Sequence, residues 1–152
     1  MFKHARPADI RKLIGEGEWD SFFTFTFVRN PWSRAVSLYN FHRSRLGRGR
    51  WELASHSFEE WVRGGGTGTA KASMARFVRD DAGKLIVKFI GRFERLNEDF
   101  RTVCEMVGVK PVMLPHLNRS TELDYKQHYS AETRDIVASW CREDIEEFDY
   151  EF

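Results

Sequence analysis

A chain of 152 residues can hold one domain with a sizeable core, and 41% hydrophobic with 31% charged residues is an ordinary globular balance. Its 24 basic and 23 acidic side chains leave a formal net charge of +1, which excludes a general nucleic-acid coat and makes any anion binding local. No apolar run approaches the ~18 residues of a membrane span, and the N-terminus MFKHARPADIRK lacks a signal-peptide core.

PADIRKLIG (7–15) predicts a short helix with Pro7 in its first turn and Gly15 past its end. FFTFTFV (22–28), aromatic and β-branched, predicts a strand covered on both faces. From Pro31 to about Leu46 the apolar residues Trp32, Val36 and Tyr39 recur at helical spacing. SFEEWVR (57–63) reads as a short helix and RGGGTGTAK (63–71) as a flexible loop. Residues 76–79 and 85–90 flank Asp80-Asp81-Ala82-Gly83, the pattern of a hairpin. A longer helix then carries Leu96, Phe100, Val103, Cys104 and Val107 and stops at Gly108. VKPVMLPHLNRS (109–120) is irregular, and Ser130 caps a helix bearing Ile136, Val137, Trp140 and Cys141. The acidic end keeps Ile145, Phe148, Tyr150 and Phe152, so it docks. Cys104 and Cys141 lack metal-ligand spacing and read as buried small hydrophobes, so nothing requires an oxidising compartment. Interleaved strands and helices make this a single α/β domain over 1–152.

Chemistry concentrates where the first strand meets its helix. Ligands collect at the carboxyl ends of such strands, where a helix N-terminus offers N–H groups and a positive dipole. Arg29 stands at that point, and its planar fork suits phosphate oxygens. Asn30, Ser33, Ser37 and Asn40 follow at three- and four-residue steps and make a narrow polar stripe along the helix. Ser37 can add a hydroxyl to an oxyanion that Arg29 holds. The competing account pairs Arg29 with a carboxylate and leaves the stripe merely hydrated.

The stretch FTFVRNPWSRAVSLY (25–39) resembles the 3′-phosphate-binding segment of sulfotransferases that use 3′-phosphoadenosine 5′-phosphosulfate (PAPS), above all the branch that sulfates carbohydrates. The likeness continues through FIGRFERLNEDFRTVCEMVGV, LPHLNRS and the tail YSAETRDIVASWCREDIEEFDYEF, and covers nearly the whole chain. It implies a parallel sheet flanked by helices, related to P-loop nucleotide-binding proteins. It also implies that Arg29 and Ser37 hold the cofactor's 3′-phosphate, with no metal required. The product nucleotide is then 3′-phosphoadenosine 5′-phosphate (PAP), and the acceptor is a hydroxyl, most simply on a glycan.

Sulfuryl transfer needs a fixed donor, an acceptor hydroxyl that loses its proton, and neutralised charge on the departing phosphate oxygen. His4, 25 residues before Arg29, matches the position of the base in related carbohydrate sulfotransferases, and imidazole titrates near neutrality. His116 in LPHLNRS competes for that role. The resemblance there implies contacts to cofactor or acceptor through His116, Asn118 and Ser120. Arg34 supports the site from behind or pairs with Glu94.

The family grips the 5′-phosphosulfate with an earlier strand–loop–helix bearing a lysine, and the 28 residues before Arg29 show no such loop, so the expected fold is N-terminally truncated. GGGTGTAKAS (64–73) is no substitute. Gly68 stands three residues from Lys71, and a helix rather than a strand precedes it. The expectation is therefore a PAPS-dependent sulfotransferase. Its rival is a non-catalytic remnant that binds a 3′-phosphorylated nucleotide or a partner chain. No nucleic-acid partner is expected, and an RNA-binding module is a distant third. An open sheet edge beside FFTFTFV would favour self-association. The compartment expected is the cytoplasm, or the Golgi if this is part of a eukaryotic protein. The basic run HRSRLGRGR (42–50) reads as a solvated stretch or an attractor of anionic glycans.

Overall fold

The computed structural model of the protein describes residues 5–45, 56–115 and 124–152. In chain order its regular elements begin with helices α1 (Pro7–Ile14) and α2 (Glu16–Ser21), strand β1 (Phe25–Val28) and helix α3 (Pro31–Arg45). Helices α4 (Phe58–Arg63) and α5 (Gly68–Lys71), strand β2 (Phe89–Arg92), and helices α6 (Leu96–Met106), α7 (Ala131–Trp140) and α8 (Arg142–Phe148) complete them. The residues fall into two compact units, Met1–Arg29 with Ser73–Pro115 and Asn30–Ala72 with His116–Phe152.

The first unit is built on a parallel pair. β1 and β2 run side by side in the register Phe25↔Phe89 to Val28↔Arg92, and helices flank them. This is the mixed α/β arrangement expected, although the strands are short. Gly91 lies opposite Phe27, and any Cβ there would run into the Phe27 ring. A bare backbone at that position is what lets the phenyl group lie across β2. The Thr24 carbonyl accepts from the N–H groups of Lys88 and Phe89 and starts the pairing. α1 begins at Pro7 as its sequence predicts, with Asp9 in the first turn and Arg11 and Lys12 in the last, each suited to the helix dipole. Arg6 and Lys12 pair with Asp81, and Arg11 with Asp80 and Glu16. Trp19 of α2 is buried and donates its indole N–H to the Ile86 carbonyl at 2.9 Å.

Two expectations change here. β1 is four residues long and not covered on both faces, because Phe25 is 45% exposed and Phe22 lies outside the strand. The hairpin around Asp80–Gly83 shrinks to one antiparallel bridge, Arg79–Leu85. The Asp80 carboxylate holds the turn through the N–H groups of Ala82 and Lys84, while the strand proper starts later, at Phe89, and pairs with β1.

The second unit packs helices around aromatic rings. Trp32, Val36 and Tyr39 of α3 are buried, as are Phe58, Trp61 and Val62 of α4. The Phe58 ring meets Tyr129 edge-on at 4.9 Å and Tyr39 at 5.5 Å, and Trp61 meets Trp140 at 6.3 Å. Ser57 with Glu60, and Ser130 with Thr133, form reciprocal capping pairs at the starts of α4 and α7. The C-terminal segment docks as its apolar residues predict. Phe152 lies edge-on to Trp32 at 5.6 Å and to Tyr129 at 5.4 Å, and Tyr150 is buried. Both cysteines are reduced and buried. Among the described residues no helix is long and apolar enough to cross a membrane.

The glycine-rich run is not a loop throughout. The Thr67 hydroxyl accepts from the Ala70 N–H and caps α5, a single turn. Gly66 has φ +59°, and a Cβ there would stand 2.9 Å from the Trp140 ring. Lys71 sits 5.1 Å above that ring. At position 66 glycine is needed for a tight packing contact.

Candidate functional site

Arg29 follows Val28, the last residue of β1, in the first unit. One step past the paired residues Val28 and Arg92, it stands beside Phe93, and its guanidinium carbon lies 4.3 Å from the centre of the Phe93 ring. The residue is half-buried. The turn after β2 is fixed by Asp99 of α6, a buried carboxylate that accepts the Arg92 N–H at 2.6 Å and pairs with Arg95 at 3.4 Å. The carboxyl ends of both parallel strands thus carry an arginine, the place where open α/β sheets bind ligands.

In the second unit Asn30 opens α3, and its role differs from the polar stripe expected. Its side-chain oxygen accepts from the N–H groups of Trp32 at 3.0 Å and Ser33 at 3.2 Å, and its amide donates to the Glu151 carbonyl at 2.8 Å. Asn30 is the N-cap, followed by Pro31 at the first helical position. Pro31 has no N–H, so the first three helical positions have no backbone donor left for an anion. The expectation that this helix end offers free N–H groups is corrected, and side chains must supply any anion contacts there.

Ser37, two turns into α3, is half-buried, and its hydroxyl has no hydrogen-bond partner among the described residues. A helical serine commonly bonds back to the carbonyl four residues before it, so a hydroxyl without that bond is available to a ligand. His42 lies five residues on, about 140° round the helix from Ser37, and does not share its face.

Arg34 is tied inward. Its guanidinium meets Asp144 at 3.3 Å, the Ala70 carbonyl at 3.3 Å and the Cys141 sulfur at 3.5 Å, and Asp144 is 0% exposed. The carboxylate partner is Asp144 in place of the expected Glu94. Burial pushes the Cys141 thiol up, and Arg34 offsets this only in part. A protonated thiol donating to the Ala70 carbonyl is no nucleophile. Burial likewise pushes the Tyr129 phenol well above its ordinary range, and its O–H donates to the Trp32 carbonyl at 2.9 Å. Neither group can serve as a base near neutrality.

His4, His116, Asn118 and Ser120 lie outside the described residues. Arg29 and Ser37 belong to different units. Arg43, in the basic run, lies 5.8 Å from the Tyr39 ring, whereas Arg48 and Arg50 fall outside the described residues. Among the described residues no group of three or more His, Cys, Asp or Glu side chains is arranged to hold a metal ion. The sequence reading missed the cap formed by Asn30, although Asn before Pro at a helix start is a signal that could have found it. The Arg29–Phe93 contact had no such signal, because it depends on the register of β1 against β2.

A parallel strand pair flanked by helices, with an arginine at the carboxyl end of each strand, defines an α/β protein. Residues 8–151 match the family model described as the sulfotransferase family, and the chain belongs to that family. It is also 28% identical over 119 residues to a protein of Archaeoglobus fulgidus described only as uncharacterized, covering 78% of this chain and 94% of that protein. No solved structure matches the chain.

Proposed function

We propose that this protein takes the sulfuryl group from PAPS to a hydroxyl, most simply that of a carbohydrate, and that Arg29 and Ser37 hold the 3′-phosphate of the nucleotide. The observation that carries this reading is Arg29 at the carboxyl end of β1, inside a family match that spans residues 8–151. The chemistry of the donors fits a phosphate. A guanidinium offers a planar fork of N–H groups, and the Ser37 hydroxyl has no other partner among the described residues. With the first N–H groups of α3 taken by Asn30, these two side chains carry the contact. His4 is the proposed base that takes the proton from the acceptor hydroxyl, with His116 as the competitor. Asn118 and Ser120 are proposed to touch nucleotide or acceptor.

Calorimetry with PAP and 5′-AMP tests this reading, because the two differ by the 3′-phosphate alone. A hydrogen bond to a charged group is worth ~1.5–3 kcal/mol, so PAP should bind at least about tenfold more tightly. Equal affinities would remove the claim. Tight PAP binding without turnover of PAPS would leave a nucleotide-binding protein that is not a transferase.

A further inference from the structure

We infer that Phe93 is a positioning residue for Arg29: its ring fixes the plane of the guanidinium so that the N–H edge meets the 3′-phosphate. This rests on the phosphate reading given above and adds a residue to it. Phe93, directly after β2, is 46% exposed, so its ring is open to solvent on part of its surface. The exposure has a counterpart in the ring contact, with the guanidinium carbon 4.3 Å from the ring centre. Stacking engages the flat face of a guanidinium, while its five N–H donors lie in the plane and point outward. The ring contact adds to whatever else restrains this long side chain, and each such restraint lowers the ordering cost of binding.

The backbone is arranged to keep the ring there. The β1–β2 register sets Arg29 and Phe93 side by side, and the buried Asp99 carboxylate holds the Arg92 N–H at 2.6 Å, which fixes the turn carrying Phe93. Leucine at position 93 would preserve an apolar contact but not the negative ring face that attracts the cation. Tyrosine or tryptophan would preserve both.

The test is calorimetry of PAP and 5′-AMP with the wild type, Phe93→Leu, Phe93→Trp, Arg29→Ala and the double variant Arg29→Ala/Phe93→Leu, with melting temperatures measured alongside. Phe93→Leu should weaken PAP about two- to fivefold, leave AMP unchanged, and leave the melting temperature close to wild type. Phe93→Trp should restore PAP affinity, and in the Arg29→Ala background the leucine should cost nothing further. Equal weakening of PAP and AMP would overturn the inference, because the ring would then be acting on the nucleoside or on the fold. Unchanged PAP affinity in Phe93→Leu would also overturn it. If Arg29→Ala itself leaves PAP affinity intact, the phosphate reading fails and the inference fails with it. If Arg29→Ala weakens PAP while Phe93→Leu does not, only the inference fails.

Discussion

Replacing Asn30 with alanine isolates the device that starts α3. The variant removes the acceptor for the N–H groups of Trp32 and Ser33, and the donor to the Glu151 carbonyl. Loss of an asparagine cap costs ~0.5–2 kcal/mol. The lost amide bond adds ~0.5–1.5 kcal/mol. The Trp32 N–H is buried, so its orphaning moves the cap figure toward the upper end. The sum is about 1–3.5 kcal/mol. With a urea slope of about 2 kcal/mol per molar, the unfolding midpoint should fall by roughly 0.5–1.7 M without a change in slope. Asn30→Asp is the informative control. It keeps the cap and adds charge of the favourable sign at a helix N-terminus, but it cannot donate to Glu151. Its midpoint should therefore lie between the alanine variant and the wild type. An alanine variant within ~0.5 kcal/mol of wild type, or an aspartate variant as unstable as alanine, would refute the capping argument.

Three further outcomes follow from the same geometry. Arg34→Met removes the guanidinium 3.3 Å from the wholly buried Asp144 and should cost ~3–5 kcal/mol in urea unfolding, whereas Arg34→Met with Asp144→Leu should recover most of it; equal losses in the two variants would contradict this. The hydrogen bond from Lys12, with the charges of Lys12 and Arg6, holds the Asp81 carboxyl below its ordinary 3.8. Its stabilising contribution is present above that value and lost as pH falls through the lower folded one, so Asp81→Asn should be less stable than wild type at pH 7 and converge with it in acid titrations; a gap unchanged down to pH 2 would speak against the pairing. The edge of β1 away from β2, with Phe25 exposed, should drive concentration-dependent self-association in sedimentation, reduced by Phe25→Lys; a wild type that stays monomeric at all concentrations counts against it.

Features written into short stretches of chain were legible in the sequence. Pro7 and Gly15 bracket α1, Ser130 caps α7, and the aromatic residues at the C-terminus dock as their spacing suggests. Arg29 at the end of a strand could be read from its neighbours alone. Features that depend on pairing could not. LIVKFI looks like the arm of a hairpin, yet β2 begins at Phe89 and runs parallel to β1, a choice made by long-range register and the space that Gly91 leaves for Phe27. For the same reason Phe93 beside Arg29 was invisible. Arg34 meets Asp144, 110 residues away in the chain but in the same compact unit, a proximity that no local spacing encodes. Asn30 was misplaced on a polar stripe because helical spacing was applied to the residue that caps the helix.

The most direct test of the account is the ratio of PAP to 5′-AMP affinity in Arg29→Ala, measured by calorimetry beside the wild type. The account predicts that the variant loses about tenfold or more in PAP affinity and nothing in AMP affinity, so that the preference for the 3′-phosphate collapses toward unity. A variant that keeps the wild-type preference would contradict the claim that Arg29 is there to hold that phosphate.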